Sequence, residues 1–136
     1  MQNTKTFNSA NSGFTLDLPD WAIDNLNALP THFPTNDERM AAVIEFSRFN
    51  FQRKTGGPFA AGIFERDSGK LVVIGVNRVL PFHCSSAHAE VIAISLAQKL
   101  LGVSLPYMYS DLIRSEAKID IKRLALLQNI SEPICS

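Results

Sequence analysis

The chain has 136 residues, of which 46% are hydrophobic and 19% charged, enough for one domain with a single core and too few for two. Thirteen basic residues balance thirteen acidic ones, so no net field gathers polyanions, and the basic excess usual in nucleic-acid-binding domains is missing. No apolar run reaches the length of a membrane span, residues 1–13 lack the hydrophobic stretch of a signal peptide, and two cysteines are too few for a disulfide scaffold.

A cytoplasmic protein is expected, with neither a membrane nor a polynucleotide as partner. The cluster Arg48, Arg53 and Lys54 reads as cations set against the negative end of a helix dipole. Residues 1–17 read as a polar tail ahead of one domain over 18–136. Leu18-Pro19-Asp20-Trp21 marks a helix start, because proline is tolerated in a first turn. Trp21, Ala22, Leu26 and Leu29 supply its buried side, and Pro30 ends it.

Thr35 and Glu38 have the spacing of a capping box. Met40, Val43, Ile44, Ser47 and Phe51 then form a helical stripe to about Arg53. Thr55-Gly56-Gly57-Pro58 breaks that helix. Residues 59–65 and 70–77 read as two strands joined by a turn at Asp67-Ser68-Gly69. The run Leu71, Val72, Val73, Ile74 and Val76 suits a strand covered on both faces.

A loop over 78–85 leads into a helix over 86–101 that stops at Gly102. Its apolar residues Val91, Ile92, Ile94, Leu96, Leu100 and Leu101 nearly encircle it, which predicts a helix sandwiched in the core. Residues 105–120 read as an irregular or partly helical connection, and 124–127 as a third strand. Helix, hairpin, helix and strand in that order predict an α/β sandwich with a mixed sheet.

Ser86-Ala87-His88-Ala89-Glu90 places an imidazole and a carboxylate two positions apart at a helix start. Such residues project about 200 degrees apart, yet they flank one site when the helix end points at it. The helix dipole favours a hydroxide or a carboxylate there. Alone, the tripeptide equally fits an ordinary exposed first turn. Three neighbours accompany it. Gly56-Gly57-Pro58-Phe59-Ala60 opens the first strand, Gly75-Val76-Asn77-Arg78-Val79 closes the second, and the helix runs on to Lys99-Leu100-Leu101-Gly102.

Over about residues 36–102 these motifs resemble the zinc-dependent cytidine/deoxycytidylate deaminase superfamily, whose sequence sign is H-x-E followed later by P-C-x-x-C. The resemblance implies a three-layer α/β/α cytidine-deaminase-like sandwich. It also implies hydrolytic deamination of a nucleobase, nucleoside or nucleotide with zinc as cofactor, a small-molecule base or nucleoside as partner, and a homo-oligomer. Glu90 is then the proton shuttle, His88 the first zinc ligand, and Asn77 the contact to base or sugar. Phe59 walls the base pocket. Asn77 also fits a plain turn asparagine after a strand, and Phe59 a plain core phenylalanine.

The second half of the pattern departs from the family. Glu132-Pro133 resembles the lead-in, but Ile134 stands where the first cysteine belongs and Cys135 comes one residue late. Cys135 is the remaining candidate for the second zinc ligand, with His83 or Cys84 as alternatives. A zinc site that activates water uses three protein ligands and an open position. The sequence therefore reads as a C-terminally truncated member, incomplete at its C-terminal strands. A catalytically inactive scaffold that binds a base weakly or pairs with another subunit is the alternative function. The strand at 124–127 would be an edge without a successor, and such edges template pairing between chains.

Overall fold

The computed structural model describes residues 6–65 and 67–102. The first helix, α1 (Asp20–Ala28), starts after Pro19 at the N-cap and stops at Leu29, just before Pro30. Trp21 and Ala22 are buried, and Leu26 and Leu29 pack against the same cluster. The segment that follows turns back onto the hairpin, where Phe33 N–H donates to Gly69 O (2.8 Å) and Leu71 N–H to Thr31 O (2.9 Å).

The second helix, α2 (Asn36–Gln52), opens on the predicted capping box. Glu38 N–H donates to Thr35 Oγ1 and Thr35 N–H to Glu38 Oε2, each at 3.2 Å. Replacing Thr35 by alanine removes the Oγ1 that accepts from Glu38 N–H, and urea unfolding should show a loss of about 1 kcal/mol. An unchanged midpoint would remove the box from the stability of this helix.

The buried stripe of α2 differs from the predicted one. Arg39, Ala42, Val43, Phe46, Ser47 and Asn50 face inward, while Ile44 and Phe51 are 42% and 63% exposed. The face is turned by one residue because its polar members bring partners with them. Arg39 Nε donates to Phe33 O (2.7 Å) and Ser47 Oγ to Ile44 O (2.7 Å). Asn50 donates to two carbonyls.

Strands β1 (Ala60–Phe64) and β2 (Leu71–Val76) pair antiparallel, in register from Ala60 with Val76 to Ile63 with Val73. The register then slips at a bulge, and Phe64 pairs with Leu71. Between the strands Gly69 takes φ +73°, and a Cβ there would run into the Phe33 carbonyl.

Alternation along the strands sorts the core into two layers. Ala60, Phe64, Ile74 and Val76 join Phe33, Trp21, Ala42, Val43 and Phe46 on the α1/α2 side. Ala61, Ile63 and Val73 face Ala89, Ala93 and Ala97 of the last described helix, α4 (Ala89–Leu101). The described residues thus form an α/β/α sandwich around a two-stranded sheet. The predicted connection over 105–120 and strand over 124–127, the strand on which the mixed sheet rested, lie outside the described residues.

Two further differences concern α4 and the loop before it. Alanines form the buried row against the sheet, with Ile94 and Leu96 packed beside them, while Leu100 is 66% exposed and Leu101 49%. At Gly75 the helix backbone lies so close that an ideal Cβ would sit 2.6 Å from Ala89 O and 2.6 Å from Ala93 N. Only small residues fit such an approach. The loop over 78–85 contains one helical turn, α3 (Val79–Phe82), capped by His83 in the left-handed region at φ 49°. Among the described residues no helix is long and apolar enough to cross a membrane.

Candidate functional site

Of the predicted site residues, Asn77 follows the end of β2 and His88 and Glu90 lie at the start of α4, while Cys135 lies outside the described residues. Arg78 N–H donates to Ala87 O at 2.9 Å. That bond ties the residue after Asn77 to the residue before His88. Gly75, two residues earlier in β2, lies under the first turn of α4.

The predicted helix start at residue 86 is corrected. Cys84 O accepts from Ala87 N–H at 3.0 Å, closing a turn, and α4 begins at Ala89. His88 is the N-cap, with extended backbone (φ −69°, ψ 157°), and its carbonyl accepts the Ile92 N–H at 3.0 Å. Ala87 and Ala89 on either side are fully buried, which turns His88 outward as the exposed member of an alternating stretch. Glu90 belongs to the first turn of α4 and is half-buried, with its Oε2 sealed from solvent. The imidazole therefore stands outside the helix and the carboxylate within it.

Asn77 is 7% exposed. Its Oδ1 accepts from Val79 N–H (3.2 Å), an Asx turn, and from Gly57 N–H (3.4 Å). Both contacts use the carbonyl end. Among the described residues the NH2 end donates to no protein acceptor. Phe59 is half-buried, and its N–H and carbonyl bond Gly57 O and Asn77 N–H at 2.8 and 3.0 Å. A Cβ on Gly57 would lie 3.2 Å from the Phe59 ring and 3.5 Å from Asn77 Oδ1. Glycine there leaves open the space between the Phe59 ring and the Asn77 amide.

Among the described residues no three of His, Cys, Asp and Glu lie together as a metal site requires. Cys84 is near the site in sequence, but its Sγ lies 3.2 Å from Ser86 Oγ. A hydrogen bond from the Ser86 side chain holds the Cys84 thiol below the usual thiol range. Cys135 lies outside the described residues.

Sequence reasoning missed the polar groups behind the site. Asn50, fully buried on α2, donates to Gly57 O (2.8 Å) and Asn77 O (2.9 Å). Thr55 Oγ1 donates to Asn50 Oδ1 (2.8 Å) and accepts from Trp21 Nε1 (2.9 Å). Arg78 stacks over Phe82, 4.4 Å from the ring centroid, and donates to Thr55 O (2.7 Å) and Asp17 O (3.2 Å). The one signal in the sequence was position: Asn50 falls four residues after Phe46 and seven after Val43, on the apolar face.

Neither a protein-family model nor a curated protein matches the chain. Solved structures do. The guanine deaminase from Nitrosomonas europaea is 43% identical over a match that covers 68% of this chain and 50% of that one, with a TM-score of 0.62. A mutant of NE0047 in complex with 8-azaguanine is 44% identical, covering 68% and 50%, with a TM-score of 0.62. NE0047 in complex with 2,6-diaminopurine is 44% identical, covering 68% and 48%, also with a TM-score of 0.62. The chain thus spans about half the length of the solved structures it matches.

Proposed function

The chain belongs to the cytidine deaminase-like superfamily, and on that premise we propose that it carries the base-binding and proton-transfer part of a site for hydrolytic deamination of a purine base. The observation that supports this reading is the Arg78 N–Ala87 O bond, which joins the residue after Asn77 to the residue before His88. Similarity to proteins bound to 8-azaguanine and 2,6-diaminopurine supports a purine as the base. The domain is taken as residues 18–136 and its place as the cytoplasm.

In this reading the Asn77 NH2 donates to an acceptor on the base, and Phe59 packs against the ring face. Water adds to the ring carbon that bears the amino group. Glu90 accepts the proton that water gives up and returns protons to the ring nitrogen and to the departing amine. The C–N bond breaks, ammonia leaves, and a carbonyl remains. A carboxylate held in the first turn of α4, with one oxygen out of solvent, suits a group that must hand protons between two partners without exchange with bulk water.

Zinc, implied by the family, requires three protein ligands. His88 is the proposed first ligand and Cys135 the second. The described residues do not make that metal site by themselves. The departure of Pro133-Ile134-Cys135 from P-C-x-x-C supports a second reading, a base-binding scaffold without turnover. Calorimetric titration with 8-azaguanine tests what the two readings share. Saturable binding is expected, and Asn77→Ala should weaken it about tenfold, the cost of one hydrogen bond lost from a buried site. No saturable binding by the wild-type chain would remove the base-binding reading.

A further inference from the structure

We propose that Asn50 is a positioning residue for the site, acting through Asn77. The proposal rests on the reading of Asn77 as the amide that meets the base. Asn50 is 0% exposed, and its environment fixes which way its amide points. Two carbonyl oxygens, Gly57 O at 2.8 Å and Asn77 O at 2.9 Å, demand the NH2 end. A hydroxyl, Thr55 Oγ1 at 2.8 Å, meets the oxygen. Both donor hydrogens are thereby used, and no other neutral side chain of that size offers two donors and an acceptor in this arrangement.

The two carbonyls that Asn50 holds belong to the residues that aim the Asn77 side chain. Gly57 precedes β1 and Asn77 follows β2, twenty positions apart. Asn50 clamps their peptide groups to one point on α2. Gly57 N–H then donates to Asn77 Oδ1, and Val79 N–H fixes the same oxygen from the other side. With the carbonyl end of Asn77 engaged twice by backbone, its NH2 is presented in one direction. Specificity for a hydrogen-bond acceptor on the ligand follows from that arrangement.

Gly56 supplies an independent observation. A Cβ there would collide with Asn77 O and lie 2.6 Å from Asn50 Nδ2. Its place is open for the approach of α2 to the strand ends.

The test uses the 136-residue chain and Asn50→Asp, which keeps the shape and the acceptor for Thr55 but loses both donors. Backbone amide hydrogen exchange is read at Gly57 and Val79, with Ala97 in α4 as the internal reference. Binding of 8-azaguanine is measured in parallel, well below the unfolding midpoint. Exchange at Gly57 and Val79 should accelerate about tenfold relative to Ala97, and affinity should fall by about the same factor. A residue that only stabilises the fold would accelerate all three amides together and leave the affinity of the folded fraction unchanged.

Unchanged exchange at Gly57 and Val79 overturns the proposal. So does unchanged affinity in Asn50→Asp when the wild-type chain binds. If Asn50→Asp does not fold, Thr55→Val takes its place, removing the hydroxyl that donates to Asn50 Oδ1 and accepts from Trp21 Nε1. It should shift the same two readouts about threefold, and no shift again overturns the proposal. A wild-type chain that does not bind 8-azaguanine overturns the reading of Asn77 as a base contact, while the exchange arm decides the brace by itself.

Discussion

Gly75→Leu should leave the chain largely unfolded in water at 25 °C, and Gly75→Ala should cost about 2–3 kcal/mol. The reason is what a side chain at this position meets. An ideal Cβ would lie 2.6 Å from Ala89 O and Ala93 N and 2.9 Å from Ala93 Cα. These are backbone atoms of α4, which cannot swing aside as the tip of a flexible side chain can. To admit even a methyl group, the helix must retreat from the sheet and open the contacts of Ala89 and Ala93 with Ala61, Ile63 and Val73. A small domain has only about 5–15 kcal/mol of stability to lose. Since α4 carries Glu90 and follows His88, a retreat also separates both from Asn77. Urea unfolding followed by circular dichroism checks the first effect, and a Gly75→Ala midpoint equal to wild type would refute the close packing.

The 136-residue chain, purified alone, should hold much less than one zinc per chain and release no ammonia from guanine above background. A full structural ligand set contributes about 10–16 kcal/mol of apparent zinc binding near pH 7. The proposed set here has His88 and Cys135, one ligand short of what a water-activating zinc requires. A site lacking a charged thiolate yields its metal to chelators. Without a firmly held metal to lower the pKa of its water, the site has no ready source of hydroxide at neutral pH. Glu90→Gln should therefore change nothing measurable in this chain. Elemental analysis finding one tightly held zinc per chain, together with ammonia release that Glu90→Gln eliminates, would show that the site is completed by a ligand not identified above.

Local patterns were legible in the sequence, and long-range ones were not. The start of α2 was readable because Thr35 and Glu38 form their exchange within four residues. Its buried face was misplaced because the partners of Asn50 lie 7 and 27 residues away, out of reach of a periodicity argument. The hairpin was found from the apolar run over 71–76 and from the turn at Asp67-Ser68-Gly69, whose glycine takes positive φ. On α4 the conspicuous leucines and isoleucines drew attention, but the row Ala89, Ala93 and Ala97 faces the sheet. A row of small residues opposite a strand glycine is the pattern of a close approach.

The site shows the same division. His88-Ala89-Glu90 and Asn77 stood out as a motif, and one backbone bond joins the residue after Asn77 to the residue before His88. That His88 caps α4 instead of opening it was not legible, since Ser85 and Ser86 are better caps by propensity. The turn closed by Cys84 and Ala87 decides the matter. Asn50 and Thr55 carried no motif.

Trp21 is the one tryptophan in the chain, and its indole N–H bonds the same Thr55 hydroxyl that donates to Asn50. The Arg53 guanidinium lies 5.6 Å from its ring centroid, and the Phe46 and Phe49 rings flank it at 5.5 and 5.9 Å. Indole emission shifts in wavelength and yield when its hydrogen bond or a nearby cation is lost. The chain is thereby its own optical reporter: excitation selective for tryptophan samples a single fluorophore two hydrogen bonds from Asn50. A ligand that pulls on Asn77 should register as a spectral change at Trp21 without any dye attached.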